Sequence, residues 1–397
     1  MHVLFAANFG KGNTGDFIYR AFKQLGHRLT FLSPIECEYP DAVKVERDVS
    51  LFKVIEKLDE KPDLFLYADC SENADFFPED IPRLKIPTLF WALDNHLNLR
   101  WHKEYGGLFD YVFFTQLGRM KLARKMGLKN AAFLPFAIDT ELIRDYGGER
   151  EYDVGYVGSI TGQKARIFKN LKANGINLHL FHWDNRKKQL ALYKELEECG
   201  VVVHSDGPHF DYEAVERFYG NCKLAFNIAP RRVFNPRTFE VCAAGAALIN
   251  PAGVDEGFYE IFSPGENCKI YDPENAADIL KGLLDSPGEL AEIARKGQRM
   301  VSENHTYHHR IREIISFAEK GVTGQRLRIS SSYLIYVKAA MTYQHPQFGQ
   351  HRRARRELMK ALKMNFPATI VYLLKYAAYR VYEKAEKLAW SFDKWPM

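Results

Sequence analysis

Four residues in the stretch 221–250 have the charge and the spacing to hold a nucleotide. Arg231, Arg232 and Arg237 supply guanidinium groups, and Glu240 follows Arg237 at i+3. Residues three apart lie on one face of a helix, so Arg237 and Glu240 are predicted to be neighbours. Guanidinium groups bind diphosphates, and a carboxylate can accept hydrogen bonds from ribose hydroxyls. This combination predicts a nucleotide-sugar site.

The local pattern puts these groups at the start of a helix. Asn235 and Pro236 form an N-cap and N1 pair, and the first N–H groups of a helix can hold an anion. Apolar strands are predicted on both sides, at 223–228 and from Ala246, so the helix would follow the carboxyl end of a strand. A surface helix with a solvated Arg/Glu pair is the alternative, and the flanking strands favour the nucleotide-sugar site.

A glycine-rich loop follows the first predicted strand. Gly10, Gly12 and Gly15 form G-x-G-x-x-G between a strand and a helix, with Glu36 about twenty residues further on. This order is typical of dinucleotide binding, but Lys11 is bulky for a tight pyrophosphate turn. The loop could bind NAD or FAD, contact a donor sugar or an acceptor, or be a plain turn. We favour contact with a substrate.

Three polar residues of the amino-terminal half lie where predicted strands end. Asp94 and His96 follow the strand 88–93, and Asp16 follows the glycine-rich loop. Ligands of parallel sheets bind at strand carboxyl ends, so any of the three could act as a catalytic base or position a sugar. Helix capping and loop hydrogen bonding are the alternative roles.

A turn in the carboxy-terminal half repeats the strand–loop–helix pattern. The strand 153–157 leads into Gly158 and Ser159, and the helix that follows carries Lys164 and Arg166. Basic residues at the start of a helix can face a phosphate, although they are common on such turns. We predict that Gly158, Ser159 and Arg166 lie in the substrate-binding site.

The alternation of apolar strands and amphipathic helices predicts an α/β fold with two doubly wound, Rossmann-like domains facing a cleft. A polar, glycine-containing segment at 146–151 separates the two series of elements. We therefore predict an acceptor-side domain at 1–148, a nucleotide-sugar domain at 149–322 and a basic helical extension at 323–397.

The charge of the chain is distributed unevenly. The net charge is +5 overall, but residues 326–397 carry +10 and the preceding residues −5. Six scattered cysteines without a C-x-x-C pair indicate reduced thiols rather than disulfides or a zinc site. We find no signal peptide and no apolar run of membrane-spanning length, so a cytoplasmic location is expected.

The basic tail has three candidate roles. Helices are predicted at 333–343, 351–364 and 368–392, with the densest positive charge at 352–356. The tail could pack on the body, lie on an anionic bilayer at the inner membrane face, or bind a partner protein. Packing on the body is slightly favoured. Nucleic acid is not expected as a partner because the body is acidic.

Several segments form a recognisable pattern: YDVGYVGS at 152–159, LAFN at 224–227, RTFE at 237–240 with Gly245 and Ala246, and HTYHHR at 305–310. Through these segments, the sequence over about residues 1–318 resembles GT-B glycosyltransferases, in particular the spore-maturation CgeB-like group. FLPFAID at 133–139 is similar to an interdomain segment of the larger retaining glycosyltransferase family.

The resemblance implies a role for each site residue. Glu240 would bind the donor ribose, while Arg237 and the loop at residues 158–159 would hold the diphosphate. Asp94 or His96 would face the reacting sugar from the first domain. Thr238, within the RTFE segment, is also expected at the substrate site.

One position departs from the family pattern. Related retaining enzymes often have a Glu eight residues before the ribose-binding Glu240, and Arg232 stands there in this chain. Sugar hydroxyls would then be held by other groups, Asn227 among them. The chain has no D-x-D motif, so arginine and the helix dipole are expected to stabilise the leaving diphosphate without a metal.

The sequence therefore predicts a metal-independent glycosyltransferase of the hexosyltransferase type. It would move a sugar from a nucleoside diphosphate, with UDP favoured, to a glycan, lipid-linked or protein acceptor, and would need no cofactor. One alternative is a nucleotide-sugar epimerase on the same fold, which would convert the donor without an acceptor. The other is a non-catalytic scaffold that acts through its basic tail.

Overall fold

The computed structural model describes residues 1–69, 76–143, 149–182, 187–205, 212–228, 233, 235–253, 257–272, 274–323 and 326, and single residues between 355 and 381. The chain divides into two compact units. The first contains Met1–Pro135 and the described residues from His308 onward, and the second contains Phe136–Tyr307.

The first unit is built on a seven-stranded parallel sheet with the order β3-β2-β1-β4-β5-β6-β7. Its strands are β1 (His2–Ala7), β2 (Arg28–Ser33), β3 (Ala42–Lys44), β4 (Leu64–Ala68), β5 (Thr88–Ala92), β6 (Tyr111–Phe114) and β7 (Ala131–Phe133). Its helices are α1 (Thr14–Gln24), α2 (Leu51–Glu56), α3 (Asn95–Gly106) and α4 (Leu117–Lys125). The central strands β1, β4 and β5 are buried along their whole length, as in parallel sheets covered by helices on both faces.

Aromatic side chains fill the core around β4 and β5 and fix α3 against the sheet. The rings of Tyr67 and Phe90 stack with centroids 5.1 Å apart. Trp101 and Tyr105 of α3 pack on Phe90 at 5.8 and 5.7 Å. Helix α3 begins directly after β5, so this packing also fixes the polar residues at its start.

The second unit has a six-stranded parallel sheet with the order β10-β9-β8-β11-β12-β13. Its strands are β8 (Tyr152–Val157), β9 (Leu178–Phe181), β10 (Val202–His204), β11 (Cys222–Phe226), β12 (Ala247–Pro251) and β13 (Lys269–Tyr271). Its helices are α5 (Gly162–Ala173), α6 (Lys187–Glu198), α7 (Tyr212–Gly220), α8 (Pro236–Ala243), α9 (Ala276–Leu284) and α10 (Pro287–Asn304). The predicted pair of doubly wound parallel sheets is thus confirmed.

The chain passes between the units at 135/136, within the FLPFAID segment, and returns at 307/308. Helix α11 (Tyr307–Ala318) belongs almost entirely to the first unit. Its Phe317 packs edge-on against Tyr111 and Phe113 of β6, with centroids 5.2 and 5.0 Å away. These divisions differ from the predicted boundaries at 148/149 and 322/323. The contact of Phe317 with β6 joins segments that are distant in sequence, and such a contact leaves no local sequence pattern.

Much of the predicted tail, including the helix at 333–343 and Arg352, Arg353 and Arg356, lies outside the described residues. The described residues between 355 and 381 are helical. Leu373 packs against the core of the first unit, and Thr369 is buried, so this part of the tail packs on the body. None of the described helices is long and apolar enough to cross a bilayer. The predicted cytoplasmic location stays a prediction.

Candidate functional site

The predicted nucleotide-sugar residues of the second unit converge on the carboxyl ends of β8 and β11. These strands are neighbours in the sheet, and the strand order reverses between them. The loop at Gly158 follows β8, while α8 follows β11. Ligands of open α/β sheets bind in the crevice at such a point, so the topology itself produces a binding site here.

Arg237 lies directly against the Gly158 loop. A Cβ atom on Gly158 would lie 2.5 Å from Nη2 of Arg237 and 2.9 Å from the hydroxyl oxygen of Tyr156. Gly158 also has a φ of 139°, which side-chain-bearing residues rarely adopt. Position 158 therefore requires glycine so that the backbone and the guanidinium can touch.

Lys164 brings a second cation to the same loop. Its Nζ donates to the Tyr156 hydroxyl at 2.6 Å and to the Ser159 carbonyl at 2.9 Å. The Gln189 side chain of α6 exchanges two hydrogen bonds with the backbone of Ile160, at 2.6 and 2.7 Å. A fixed loop at a helix N-terminus with cations beside it is an arrangement that binds phosphate.

A buried amide pair orients Arg237. Nη1 of Arg237 donates to Oδ1 of Asn227 at 3.1 Å, and Nδ2 of Asn227 donates to Oδ1 of Asn250 at 2.9 Å. Both asparagines are fully buried. The predicted contact of Asn227 with sugar hydroxyls stays a prediction, and in this structure its amide positions the guanidinium.

Glu240 lies one turn after Arg237 on α8 and is held by Tyr212, the first residue of α7. The Tyr212 hydroxyl donates to Oε1 of Glu240 at 2.5 Å. Burial raises the pKa of Glu240, and the hydrogen bond from Tyr212 and the charge of Arg237 oppose that rise. The carboxylate is half-buried, so it can still be reached by a ligand.

The remaining predicted residues of this unit are distributed differently. Thr238 is fully buried, and its hydroxyl donates to the carbonyl of Asn235 at 2.7 Å. The Asn235 side chain makes no capping hydrogen bond, although α8 begins at the predicted residue. Arg166 is exposed on α5. Arg231 and Arg232 lie outside the described residues.

In the first unit, Asp16 shapes the glycine-rich loop. Its Oδ2 accepts the backbone N–H of Gly12 at 2.7 Å, and Oδ1 accepts the hydroxyl of Tyr39. Asn13 caps α1 by accepting the N–H of Asp16 at 3.0 Å. A Cβ atom on Gly15 would approach the preceding backbone to 3.2 Å, so this glycine allows the close packing of helix on strand. Contact of Gly10, Gly12 or Gly15 with a substrate, and direct chemistry by Asp16, stay predictions.

Asp94 and His96 lie at the carboxyl end of β5, as predicted from the sequence, and at the start of α3, which was not predicted. Asp94 is the N-cap residue, and its backbone carbonyl accepts the N–H of Leu97 at 2.9 Å and that of Asn98 at 3.1 Å. Both Asp94 and His96 are half-buried. Their catalytic roles stay predictions.

A buried hydrogen-bond network supports this helix start and was not predicted from the sequence. Nε2 of His102 lies 2.6 Å from Oδ2 of Asp69, and Nδ1 lies 3.0 Å from Nδ2 of Asn95. Oδ1 of Asn95 accepts the backbone N–H of Thr115 at 2.7 Å, which fixes the amide orientation. Nδ1 of His102 must then accept, so its proton is on Nε2 and is donated to Asp69.

A sequence signal existed for part of this network. Asp69 directly follows β4, in the same relation as Asp94 to β5, and the rule applied to Asp94 would have selected it. His102 is an interior residue of α3 and Tyr212 is the first residue of α7, and both meet their partners only through tertiary packing. For these two the sequence pattern carried no signal.

In the part of the chain that the structure describes, no group of three or more His, Cys, Asp or Glu side chains could hold a metal ion. The predicted independence from metal stays a prediction.

Comparison with protein families matches residues 161–316 to the family described as "Glycosyl transferase-like". These residues cover most of the second unit and include Arg237 and Glu240. No curated protein sequence matches the chain significantly.

Several solved structures share the fold at low sequence identity. HepE from Anabaena in complex with UDP is 15% identical, with a TM-score of 0.61, over 81% of this chain and 100% of that chain. A glycosyltransferase from Rickettsia africae is 10% identical, with a TM-score of 0.57, over 80% and 98%. AviGT4, a glycosyltransferase involved in avilamycin A biosynthesis, is 12% identical, with a TM-score of 0.54, over 81% and 98%. The chain thus has the two-domain fold of GT-B glycosyltransferases, and its residues 161–316 are similar to the glycosyl transferase-like family.

Proposed function

We propose that this protein is a metal-independent glycosyltransferase of the CgeB-like group, which transfers a hexose from a nucleoside diphosphate to a nucleophilic acceptor. One observation carries the proposal. The guanidinium of Arg237 lies against the glycine loop after β8, with Glu240 one helical turn further on, at the reversal point of a parallel sheet.

The loop and its cations would bind the diphosphate. The N-terminus of α5, Lys164 and Arg237 place partial and full positive charges around Gly158 and Ser159. These groups are held by neighbouring helices and by the buried Asn227 before any ligand arrives. Charge fixed in this way stabilises a leaving diphosphate at little reorganisation cost, which would make a metal unnecessary.

The half-buried carboxylate of Glu240 would bind the ribose. A ribose presents adjacent hydroxyl groups, and a carboxylate oxygen is a strong acceptor for them. We favour UDP as the nucleotide because HepE, which shares the fold, was solved with UDP-glucose and with UDP.

The first unit would supply groups for the reacting sugar and the acceptor. Asp94 and His96 are fixed by α3, which the network of Asp69, Asn95 and His102 holds against the sheet. Either side chain would serve as the base that removes the acceptor proton. The glycine-rich loop, held by Asp16, would contact the acceptor or the donor sugar.

The tail would add a peripheral membrane contact. Residues 326–397 carry a net charge of +10. The described part of this segment exposes apolar side chains, with Phe366 61%, Leu374 66% and Val381 71% exposed. Basic charge beside exposed apolar groups favours an anionic bilayer surface.

A sedimentation experiment with vesicles tests this membrane contact. The full chain should sediment with vesicles that contain phosphatidylserine but not with phosphatidylcholine vesicles. The double substitution Phe366→Ser with Leu374→Ser should reduce the fraction of protein that sediments with the phosphatidylserine vesicles. Equal binding to both vesicles would contradict the proposed contact.

A thermal-shift screen with UDP, GDP, dTDP and NAD tests the proposed function. A nucleoside diphosphate near saturation should stabilise the protein by about 2–4 kcal/mol. Glu240→Ala should abolish the shift and leave the unliganded melting temperature nearly unchanged. Glu213→Ala, an exposed substitution on α7, is the matched control and should keep the shift. A shift with NAD alone would instead indicate a dehydrogenase-like protein.

A further inference from the structure

The function proposed above uses Glu240 but assigns no role to Tyr212, its hydrogen-bond partner. Tyr212 opens α7 and Glu240 lies in α8, so the hydrogen bond between them joins two helices. The Tyr212 hydroxyl donates its proton to Oε1 of Glu240 at 2.5 Å. A hydroxyl–carboxylate bond of this kind is among the stronger hydrogen bonds in proteins.

The other carboxylate oxygen is left for a ligand. Among the described residues, Oε2 of Glu240 accepts no hydrogen bond, and the residue is half-buried rather than enclosed. A carboxylate that is fixed through one oxygen can turn only by breaking that bond. Its second oxygen therefore keeps one direction in the absence of a ligand.

Other charged or titratable groups around the carboxylate cannot replace Tyr212. Arg237 lies on the same helix, but its Nη1 is engaged by Asn227. Two further tyrosines lie near the pair: Tyr219 of α7, which interacts with both Tyr212 and Glu240, and Tyr307 at the start of α11, which interacts with Tyr212. The described structure shows no hydrogen bond from either hydroxyl to Glu240. Tyr212 is thus the hydroxyl that sets the direction of the carboxylate.

We propose that Tyr212 is a positioning residue that makes the site selective for ribose over deoxyribose nucleotides, by holding Glu240 with Oε2 toward the ribose hydroxyls. This inference rests on the proposed function, because it needs a nucleotide at Glu240. It adds a specificity-determining residue in α7, outside the segments from which the site was predicted.

Calorimetric titration with UDP and with 2′-deoxy-UDP tests the assignment. Wild-type protein should prefer UDP by about tenfold or more, because a hydrogen bond to a charged group is lost with the deoxy ligand. Tyr212→Phe should weaken the binding of UDP about tenfold and leave the binding of 2′-deoxy-UDP nearly unchanged. The variant's preference for UDP should therefore fall to about twofold or less. Tyr271→Phe removes another buried tyrosine hydroxyl of the same unit and should keep the preference.

A second measurement separates positioning from a general loss of structure. In a Glu240→Gln background, Tyr212→Phe should change UDP affinity by less than about twofold, because the two residues act as one unit. Equal weakening of UDP and 2′-deoxy-UDP by Tyr212→Phe, or an unchanged preference, would overturn the role of Tyr212. Failure of the wild-type protein to bind any nucleoside diphosphate would overturn the proposed function and this inference together.

Discussion

Arg237 and Gly158 touch: a Cβ atom at Gly158 would lie 2.5 Å from Nη2 of the arginine. The two residues come from different strand–helix units of the second sheet, and they meet because β8 and β11 are neighbours. A backbone loop and a guanidinium in contact can hold the same anion. Substitutions that disturb this contact, or the groups that maintain it, should therefore weaken the binding of a diphosphate.

Gly158→Ala should weaken UDP binding by about tenfold or more, because the new methyl group displaces Arg237 and the φ of 139° is strained for alanine. Titration calorimetry of UDP measures the loss. Gly282→Ala, in α9, is the control, since a Cβ atom there meets nothing within 4 Å. Equal UDP affinity in the two variants would contradict the contact.

Asn227→Ala should reduce both stability and affinity. Asn227 is fully buried between Arg237 and Asn250, and its loss leaves both partners without this hydrogen bond. The free energy of unfolding should fall by about 1–3 kcal/mol, as measured by urea denaturation. UDP affinity should fall with it, because Arg237 is no longer oriented. A variant that loses stability but binds UDP normally would show that Asn227 has only a structural role.

UDP binding should weaken as the pH falls, at a higher pH than for an ordinary glutamate. Burial raises the pKa of Glu240, so on acidification the carboxylate takes up its proton at a higher pH than an ordinary glutamate does. The charged form is the stronger acceptor for ribose hydroxyls, and affinity is present above the raised pKa and lost below it. Calorimetric titrations with UDP between about pH 5 and pH 8 test this, because that range lies above the ordinary glutamate pKa of about 4.3. Glu240→Gln should bind UDP more weakly and with a smaller pH dependence, because only the titration of the UDP terminal phosphate, with a pKa of about 6, remains.

Acid should destabilise the second unit through a histidine pair. Nδ1 of His179 lies 2.9 Å from Nε2 of His204, and Tyr152 stacks on His179. Burial, followed by the charge of His204, lowers the pKa of His179 to about 4. The folded state thus favours the neutral ring. The neutral His179 ring therefore contributes to the free energy of unfolding above the unfolded pKa of about 6.5, and this contribution is lost as the pH falls toward 4.

His179→Gln tests this contribution because glutamine does not titrate and can still hydrogen-bond to His204. Melting temperatures of the variant and the wild type between pH 7 and pH 4 should differ in slope, with the variant less sensitive to acid. Parallel curves would show that the histidine pair does not contribute to acid destabilisation.

The fold was predictable because the central strands of both sheets are buried over most of their length. Runs such as residues 3–7 and 64–68 are apolar at every position and alternate with amphipathic helices, which leaves few alternatives to a doubly wound sheet. Helix α3 was not predicted, although Asp94 and His96 at its start were. The aromatic packing of Trp101 and Tyr105 holds this helix, and such contacts between distant segments leave no periodic signal.

The candidate site was predictable where its chemistry is local. Arg237 and Glu240 share one helix, and Gly158 follows a strand, so spacing alone identified them. Tyr212 was missed because only tertiary packing brings it to Glu240. The role of Asn227 was also not predicted, since burial directs its amide to Arg237 and Asn250.

The most direct test of the account compares UDP, UMP and uridine as ligands of the wild-type protein and of Arg237→Ala, by titration calorimetry. The account predicts that the wild type prefers UDP over UMP by about tenfold or more, since the second phosphate gains charged hydrogen bonds. Arg237→Ala should lose this preference and keep a similar affinity for uridine. Equal binding of UDP and UMP by the wild type, or an unchanged preference in the variant, would contradict a diphosphate site at Arg237.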